Sequence, residues 1–155
     1  MELADLKKAY GELARKYKMP CFQELNENFE IEKIDKESEC LLRLIRKVML
    51  EKIVNSFNFA EFLLNPLNAP KMYLPFIKTM TLDDRKEIEK IYSGISELLL
   101  QTLDIEVDYS EKKEAEMIKK MLERWNELKP SFRKIFANMK KPNRQNGTRE
   151  KSYFG

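Results

Sequence analysis

Apolar side chains recur along this chain at intervals of three and four residues, with polar side chains between them. In residues 2–18, for example, Leu3, Leu6 and Tyr10 fall on one face of a helix. Such spacing predicts amphipathic helices, because an α-helix completes a turn every 3.6 residues. The same pattern predicts four further helices, at about 22–29, 36–64, 82–103 and 110–128.

The helix predicted over 36–64 is the longest and the most apolar of the five, with Asp35 suited to cap its N-terminus. Its apolar residues cover more than one narrow stripe, so the helix is either the central strut of a bundle or offers a second face to a partner. We expect the central strut. Arg43 and Arg46 lie on its polar side, and we expect them to form local ion pairs, such as one between Arg43 and Glu39 four residues earlier.

Prolines and capping residues mark the boundaries of the later elements. An apolar connector follows the longest helix and contains Pro66, Pro70 and Pro75. We expect it to pack against the rest of the protein in short helical turns. Thr81 with Asp84 three residues later resembles a capping box and predicts a helix start.

Three further expectations concern the second half of the chain. Leu103 and Trp125 fall on the core faces of their predicted helices. The alternating residues of 105–109 predict a strand-like link between two helices. Pro130 is expected to break or kink the last helix, after which helical spacing continues to Lys141.

Together these elements predict an all-α fold, an antiparallel bundle of five to seven helices. We expect one helical domain over residues 1–141. Residues 142–152 contain no apolar side chain, so a disordered, basic C-terminal tail is expected over 142–155.

Composition restricts the class of protein further. The chain of 155 residues is 43% hydrophobic and 35% charged, which suits one domain with a sizeable core. It has no apolar run of about 18 residues, and Asp5, Lys7 and Lys8 stand where a signal peptide needs apolar residues. We therefore expect a cytoplasmic protein that does not enter a membrane. Two cysteines, Cys21 and Cys40, fit that reducing location, and we expect both to be buried and inert.

Charge divides unevenly along the chain. Residues 129–155 contain eight basic residues against one acidic residue, a net charge of +7, so the remainder carries −4 of the total of +3. Basic residues on a flexible end bind phosphates through counterion release, without a defined fold. The candidate nucleic-acid-binding residues are Lys129, Arg133, Lys134, Lys140, Lys141, Arg144, Arg149 and Lys151.

Catalytic chemistry finds little support in the residue types present. The chain has no histidine, which removes the commonest general base and the commonest metal ligand. Asp83, Asp84 and Glu87 resemble a magnesium site but are more simply acids at a helix N-terminus, where the helix dipole favours them. We expect no enzymatic activity, no catalytic residue, no cofactor and no bound metal.

Three short stretches carry a family resemblance: Phe22-Gln23-Glu24-Leu25-Asn26, Leu63-Leu64-Asn65-Pro66-Leu67-Asn68-Ala69-Pro70 and Lys151-Ser152-Tyr153-Phe154-Gly155. On these the chain resembles small, uncharacterised all-helical proteins of archaea. The resemblance implies a helical fold and brings no activity, cofactor or site residue.

Two main hypotheses for function follow, beside a third and less favoured one, an enzyme that uses carboxylates, lysine or cysteine. The first is a non-enzymatic helical interaction module, an accessory subunit of a larger assembly that docks a protein partner through Tyr153 and Phe154 at its aromatic-tipped tail. The alternative is a nucleic-acid- or ribonucleoprotein-associated factor that binds phosphates through its basic end. A homo-oligomer is compatible with either hypothesis, and the identity of the protein partner is open.

Overall fold

The structure, a computed structural model, describes residues 1–35 and 39–141. These residues form six α-helices, joined by short turns, and no strand, so the all-α prediction is confirmed. Three 3-10 helices lie at Ile31–Lys33, Pro66–Asn68 and Lys71–Tyr73. The α-helices are α1 (Leu3–Tyr17), α2 (Phe22–Phe29), α3 (Leu41–Leu64), α4 (Leu74–Thr79), α5 (Leu82–Val107) and α6 (Glu111–Met139).

The chain groups into two compact units, and α3, α5 and α6 each contribute to both. Within the described ranges, the first unit consists of Met1–Val54 and Glu97–Trp125, and the second of Asn55–Ser96 and residues 126–141. The tail predicted over 142–155 lies outside the described residues.

The first unit is built around apolar faces of α1, α2, α3 and α6. Tyr10 of α1 is buried, and its hydroxyl donates a hydrogen bond of 2.6 Å to the carbonyl oxygen of Pro20. Trp125 is also buried, as predicted, and its ring centroid lies 5.7 Å from that of Phe29. Within this unit α5 runs antiparallel to α6, because Glu106 near the end of α5 and Glu114 near the start of α6 both contact Arg46, whereas Glu97, earlier in α5, contacts Arg124, later in α6.

The second unit confirms the predicted capping box at the start of α5. The Thr81 backbone N–H donates to Asp84 Oδ2 at 3.0 Å, and the Asp84 N–H donates to Thr81 Oγ1 at 3.2 Å. Asp84 is buried and also accepts a hydrogen bond of 2.6 Å from the Asn138 side chain, which joins the first turn of α5 to the end of α6. Two otherwise orphaned helix-terminal groups are thereby satisfied.

Several local expectations were wrong. The strand-like link does not form, because α5 continues through Ile105 to Val107. Three alternating residues with no partner strand cannot form a sheet, whereas helix extension satisfies the backbone locally. Leu103, expected in the core, is exposed, and Thr102 and Ile105 are buried on that helix instead.

The last helix and the connector also depart from expectation in part. Helix α6 continues through Pro130, and Phe132 and Ile135 are buried beyond it, so packing on that face accompanies the loss of one backbone hydrogen bond. The connector does form short helical turns, as predicted. However, Leu67 and Met72 do not lie against the body, since both are largely exposed.

Candidate functional site

The predicted basic end is only partly within the described residues. Arg133, Lys140 and Lys141 are exposed on or just after α6, and Lys129 is half-buried. Lys134 is exposed but places its Nζ 3.4 Å from Glu87 Oε1 in a salt bridge. The remaining predicted residues, Arg144, Arg149, Lys151, Tyr153 and Phe154, lie outside the described residues.

Three residues of this end share one face of α6, and Lys140 continues that face just after the helix ends. Lys129, Arg133, Phe136 and Lys140 occupy positions i, i+4, i+7 and i+11, which a helix aligns along one side. We call this face the basic stripe. Phe136 is 43% exposed, and its ring packs against Phe59, with centroids 5.3 Å apart. The structure therefore adds an exposed aromatic ring to the predicted cations.

A second exposed surface lies on the C-terminal half of α5, within the first unit. Leu100, Leu103 and Val107 are 68%, 59% and 90% exposed. Their spacing of i, i+3 and i+7 places them on one face, which we call the apolar stripe. Three large apolar side chains in register on a regular helix are more informative than the same number scattered over a surface.

The flanks of the apolar stripe are acidic. No lysine or arginine occurs between Lys90 and Lys112, whereas Asp104, Glu106 and Asp108 are all exposed. Asp108 is within 4.0 Å of Lys113, with its carboxylate largely in solvent. Glu106 accepts a hydrogen bond from Arg46, which holds the pKa of Glu106 below its ordinary value. Glu106 is therefore negatively charged at neutral pH.

The first unit also contains buried charges. Arg46 is fully buried, and its Nε donates to Glu114 Oε2, the carboxylate of which is equally buried. Arg46 Nη2 donates to Glu106 Oε1 at 2.5 Å, and Arg43 Nε donates to Glu114 Oε1 at 3.2 Å. The expectation of local ion pairs was therefore wrong for these two arginines, which reach α5 and α6 instead.

This ion cluster, formed by Arg43, Arg46, Glu106 and Glu114, contains two positive and two negative groups. Burial is the strongest single influence on the pKa of Arg46 and lowers it, but the hydrogen bonds to Glu114 and Glu106 outweigh burial and raise that pKa overall. Arg46 Nη1 is buried and makes no hydrogen bond within the described part of the chain. The cluster joins three helices through directional contacts, so its role is to fix the register of these helices.

The two cysteines differ in environment. Cys21 is exposed at the N-cap of α2, so the expectation that it is buried was wrong. Cys40 is half-buried beside Tyr109. Burial, with a smaller contribution from a hydrogen bond to Cys40, raises the pKa of Tyr109 to about 12. Only Cys21 is therefore fully open to reagents in solution.

The acidic residues considered for magnesium serve other roles. Asp84 caps α5, as described above. Hydrogen bonds from Ser131 and Lys134 lower the pKa of Glu87, while partial burial opposes them. Over residues 1–35 and 39–141, no group of three or more acidic or cysteine side chains is placed to hold a metal ion.

Sequence reasoning missed the apolar stripe and the placement of Phe136. Helix α5 carries apolar residues on two faces, and periodicity alone does not tell which face is covered. The absence of basic residues from 91 to 111 was a signal in the sequence that could have marked the exposed face.

Comparisons with other proteins add no assignment to these observations. No helix in the described ranges is both long enough and apolar enough to cross a membrane. The resemblance to small archaeal helical proteins stays a prediction. A search of the chain against protein-family models, curated proteins and solved structures finds no match in any of the three.

Proposed function

We propose that this protein is a non-enzymatic helical interaction module, an accessory subunit that binds a protein partner through the apolar stripe of α5. The observation that carries the proposal is the exposure of Leu100, Leu103 and Val107 on one helical face. Burying one such side chain stabilises a complex by about 1.5–3 kcal/mol. Exposed apolar surface of this kind on a folded protein is typical of an interaction site.

The charges beside the stripe favour one kind of partner. A partner helix with an apolar face and basic flanks is complementary to this surface. Its apolar face would cover the apolar stripe, and its basic residues would lie near Asp104, Glu106 and Asp108. Two copies of the chain facing stripe to stripe would bring these acids together, which disfavours a symmetric dimer through this face. We therefore assign the stripe to a basic amphipathic helix of a different protein.

The direct test measures binding of a synthetic amphipathic helical peptide by fluorescence anisotropy. Its leucines follow the i, i+3, i+7 spacing and lysines flank them, and an otherwise identical peptide carries glutamate in place of lysine. We expect the full-length chain to bind the lysine peptide at least tenfold more tightly than the glutamate peptide, with affinity falling as salt is raised.

Variants on the chain give that test its specificity. Replacing Leu100 and Leu103 by serine should weaken binding of the lysine peptide at least tenfold, because apolar contacts are lost. Replacing Leu67 and Met72 by serine removes apolar side chains elsewhere that are even more exposed and should leave binding unchanged. Equal binding by both double variants, or no binding to the wild type, would contradict the proposal.

A second function, nucleic-acid binding, is favoured by the basic stripe of α6. Lys129, Arg133 and Lys140 supply phosphate contacts, and the exposed ring of Phe136 lies between them on the same face. Cations combined with an aromatic side chain are the usual means of holding single strands, since bases stack on the ring while the cations contact the backbone.

This alternative is tested with labelled single- and double-stranded RNA and DNA, titrated against salt. The full-length chain is compared with a 1–139 truncation and with a variant in which Lys129, Arg133 and Lys140 are glutamine. Nucleic-acid binding predicts that affinity falls steeply with salt and weakens in both altered proteins. Phe136→Ala should weaken binding to single strands more than to duplexes. Binding unaffected by either change would contradict this alternative.

A further inference from the structure

A groove lies between α1 and α2 in the first unit and uses no residue of the apolar stripe. Its volume is about 610 Å³, within the range of about 300–1,000 Å³ typical of small-molecule sites. Three of the residues that line it are the cations Lys7, Lys8 and Arg15, and no carboxylate is among them. The rest of the lining is largely apolar or aromatic, as Met19 and Phe22 illustrate.

The floor of the groove is formed by α1 at Gly11, which has no side chain. Gly11 sits within α1, and a Cβ atom added there would meet nothing within 4 Å. Glycine inside a helix costs about 0.5–1 kcal/mol relative to alanine. Neither close packing nor backbone conformation accounts for this glycine, because Gly11 has no positive φ. Its effect is to leave the backbone of α1 bare beneath the groove.

Two of the three cations, Arg15 and Lys7, contact neighbouring groups of the groove. The Arg15 Nε donates a hydrogen bond of 3.3 Å to the carbonyl oxygen of Gly11. The Lys7 Nζ lies 5.6 Å from the centre of the Phe22 ring, over its face. The ring of Phe22 in turn packs edge-on against Tyr10, which is buried. Positive charge thus surrounds a flat apolar surface.

We propose that this groove binds a small organic anion with a flat, apolar body. Its negative group pairs with Lys7, Lys8 and Arg15, and its body lies against Phe22 above Gly11. Charge complementarity and the bare helix floor together select this chemistry over a neutral or cationic ligand.

Cys21 lines the same groove and is exposed, so its reactivity reports on what enters. The probe is dithiobis(nitrobenzoate), an anionic aromatic disulfide, with dithiodipyridine as its neutral counterpart. In each reaction the Cys21 thiolate attacks one sulfur of the reagent, a Cys21–reagent disulfide forms, the reagent's own S–S bond breaks, and an aromatic thiolate leaves. Peptide mapping by mass spectrometry follows Cys21 and Cys40 separately in the full-length chain.

For each cysteine we compare the reaction rate with the anionic reagent to the rate with the neutral reagent. We expect this ratio to be about tenfold higher at Cys21 than at Cys40, because clustered positive charge raises the local concentration of an anion. The rate at Cys21 should also saturate with the anionic reagent, because binding precedes exchange. A preference equal at the two cysteines, or a rate that rises linearly without limit, would overturn the proposal.

Variants separate the groove from the overall charge of the chain. Changing Lys7, Lys8 and Arg15 together to glutamine should abolish the preference and the saturation, whereas the same change at Lys86, Lys112 and Lys120, which do not line the groove, should alter the rates by less than about twofold. Gly11→Leu adds a larger side chain at the floor, where a Cβ meets nothing within 4 Å, and should remove saturation, while Gly11→Ala should retain it. An equal loss in both charge variants, or saturation that persists in Gly11→Leu, would overturn the proposal.

Discussion

The same three helices, α3, α5 and α6, contribute to two interiors of different chemistry. In the first unit they share the ion cluster, in which the fully buried Arg46 and Glu114 pair across α3 and α6. In the second unit they pair half-buried and exposed aromatic rings at the edge of an apolar core. Phe57 of α3 stacks on Tyr92 of α5 with centroids 4.8 Å apart, and Phe59 packs on Phe136 of α6.

Charged hydrogen bonds and aromatic packing hold helices together in different ways. Charged hydrogen bonds are directional, so they fix which turns of neighbouring helices face one another, but the cost of removing the charges from water offsets most of their gain in stability. Aromatic packing is less directional and stabilises chiefly through buried area. We infer that the ion cluster fixes helix register in the first unit and that apolar packing stabilises the second.

The largest predicted effect is the removal of one partner of the ion cluster. Arg46→Met leaves Glu114 buried without its main partner and should lower the free energy of unfolding by about 3–5 kcal/mol. Chemical denaturation measures this change. The double variant Arg46→Met, Glu114→Leu should recover most of the loss, because both fully buried charges are then removed, and Arg43 and Glu106, which lose a partner, both reach solvent. A double variant as unstable as the single one would show that the pair stabilises the unit directly.

The second unit should respond to loss of buried area rather than of charge. Phe132 is buried, so Phe132→Ala is expected to cost about 3 kcal/mol of unfolding free energy through the cavity it leaves. The matched change Phe136→Ala removes a half-exposed ring and should cost less than about 1 kcal/mol. Similar losses for the two variants, measured by denaturation, would contradict the aromatic account of this interior.

A smaller effect is expected at the buried polar group of the second unit. Asp84→Ala removes the capping bond to the Thr81 N–H and the contact with Asn138, and should cost about 1–2 kcal/mol of unfolding free energy. Thermal or chemical denaturation against Asp83→Ala provides the control, since Asp83 is exposed at the same helix start. If the two substitutions had equal effects, helix-dipole charge rather than the capping box would explain the stability.

The smallest effect is a pH dependence at the edge of the ion cluster. The hydrogen bond from Arg46 lowers the pKa of Glu106 below its ordinary value of 4.5, so the contribution of Glu106 to stability is present above that value and is lost as pH falls through its folded-state pKa. Glu106→Gln should therefore lose less stability than the wild type between about pH 6 and pH 3. Chemical denaturation at a series of pH values measures this difference. If the free energies of unfolding of the wild type and Glu106→Gln fell equally over that range, the predicted linkage would be contradicted.

Local signals in the sequence were sufficient for much of the fold. Both halves of the capping box lie within one turn, so Thr81 and Asp84 could be recognised from their spacing alone. Trp125 was placed in the core for a similar reason, because its apolar neighbours follow the helical period. Such features depend only on residues a few positions apart.

The ion cluster could not be recognised in that way. Arg46 has Glu114 as its partner 68 positions later, whereas acids close in the sequence, such as Glu39 near Arg43, offered a plausible local explanation. The apolar stripe was missed because Leu103 fits either face of a helix that is apolar on two sides. Long-range pairing and the choice between two apolar faces are decided by tertiary packing, which periodicity does not encode.

The measurement that tests the central claim most directly is amide hydrogen exchange on the full-length chain, with and without the lysine-flanked amphipathic peptide. Binding at the apolar stripe predicts slower exchange in residues 97–107 of α5, with residues 126–141 of α6 unchanged. Protection confined to α6, or no protection of α5 at saturating peptide, would contradict the claim that this protein docks a partner helix on the apolar stripe.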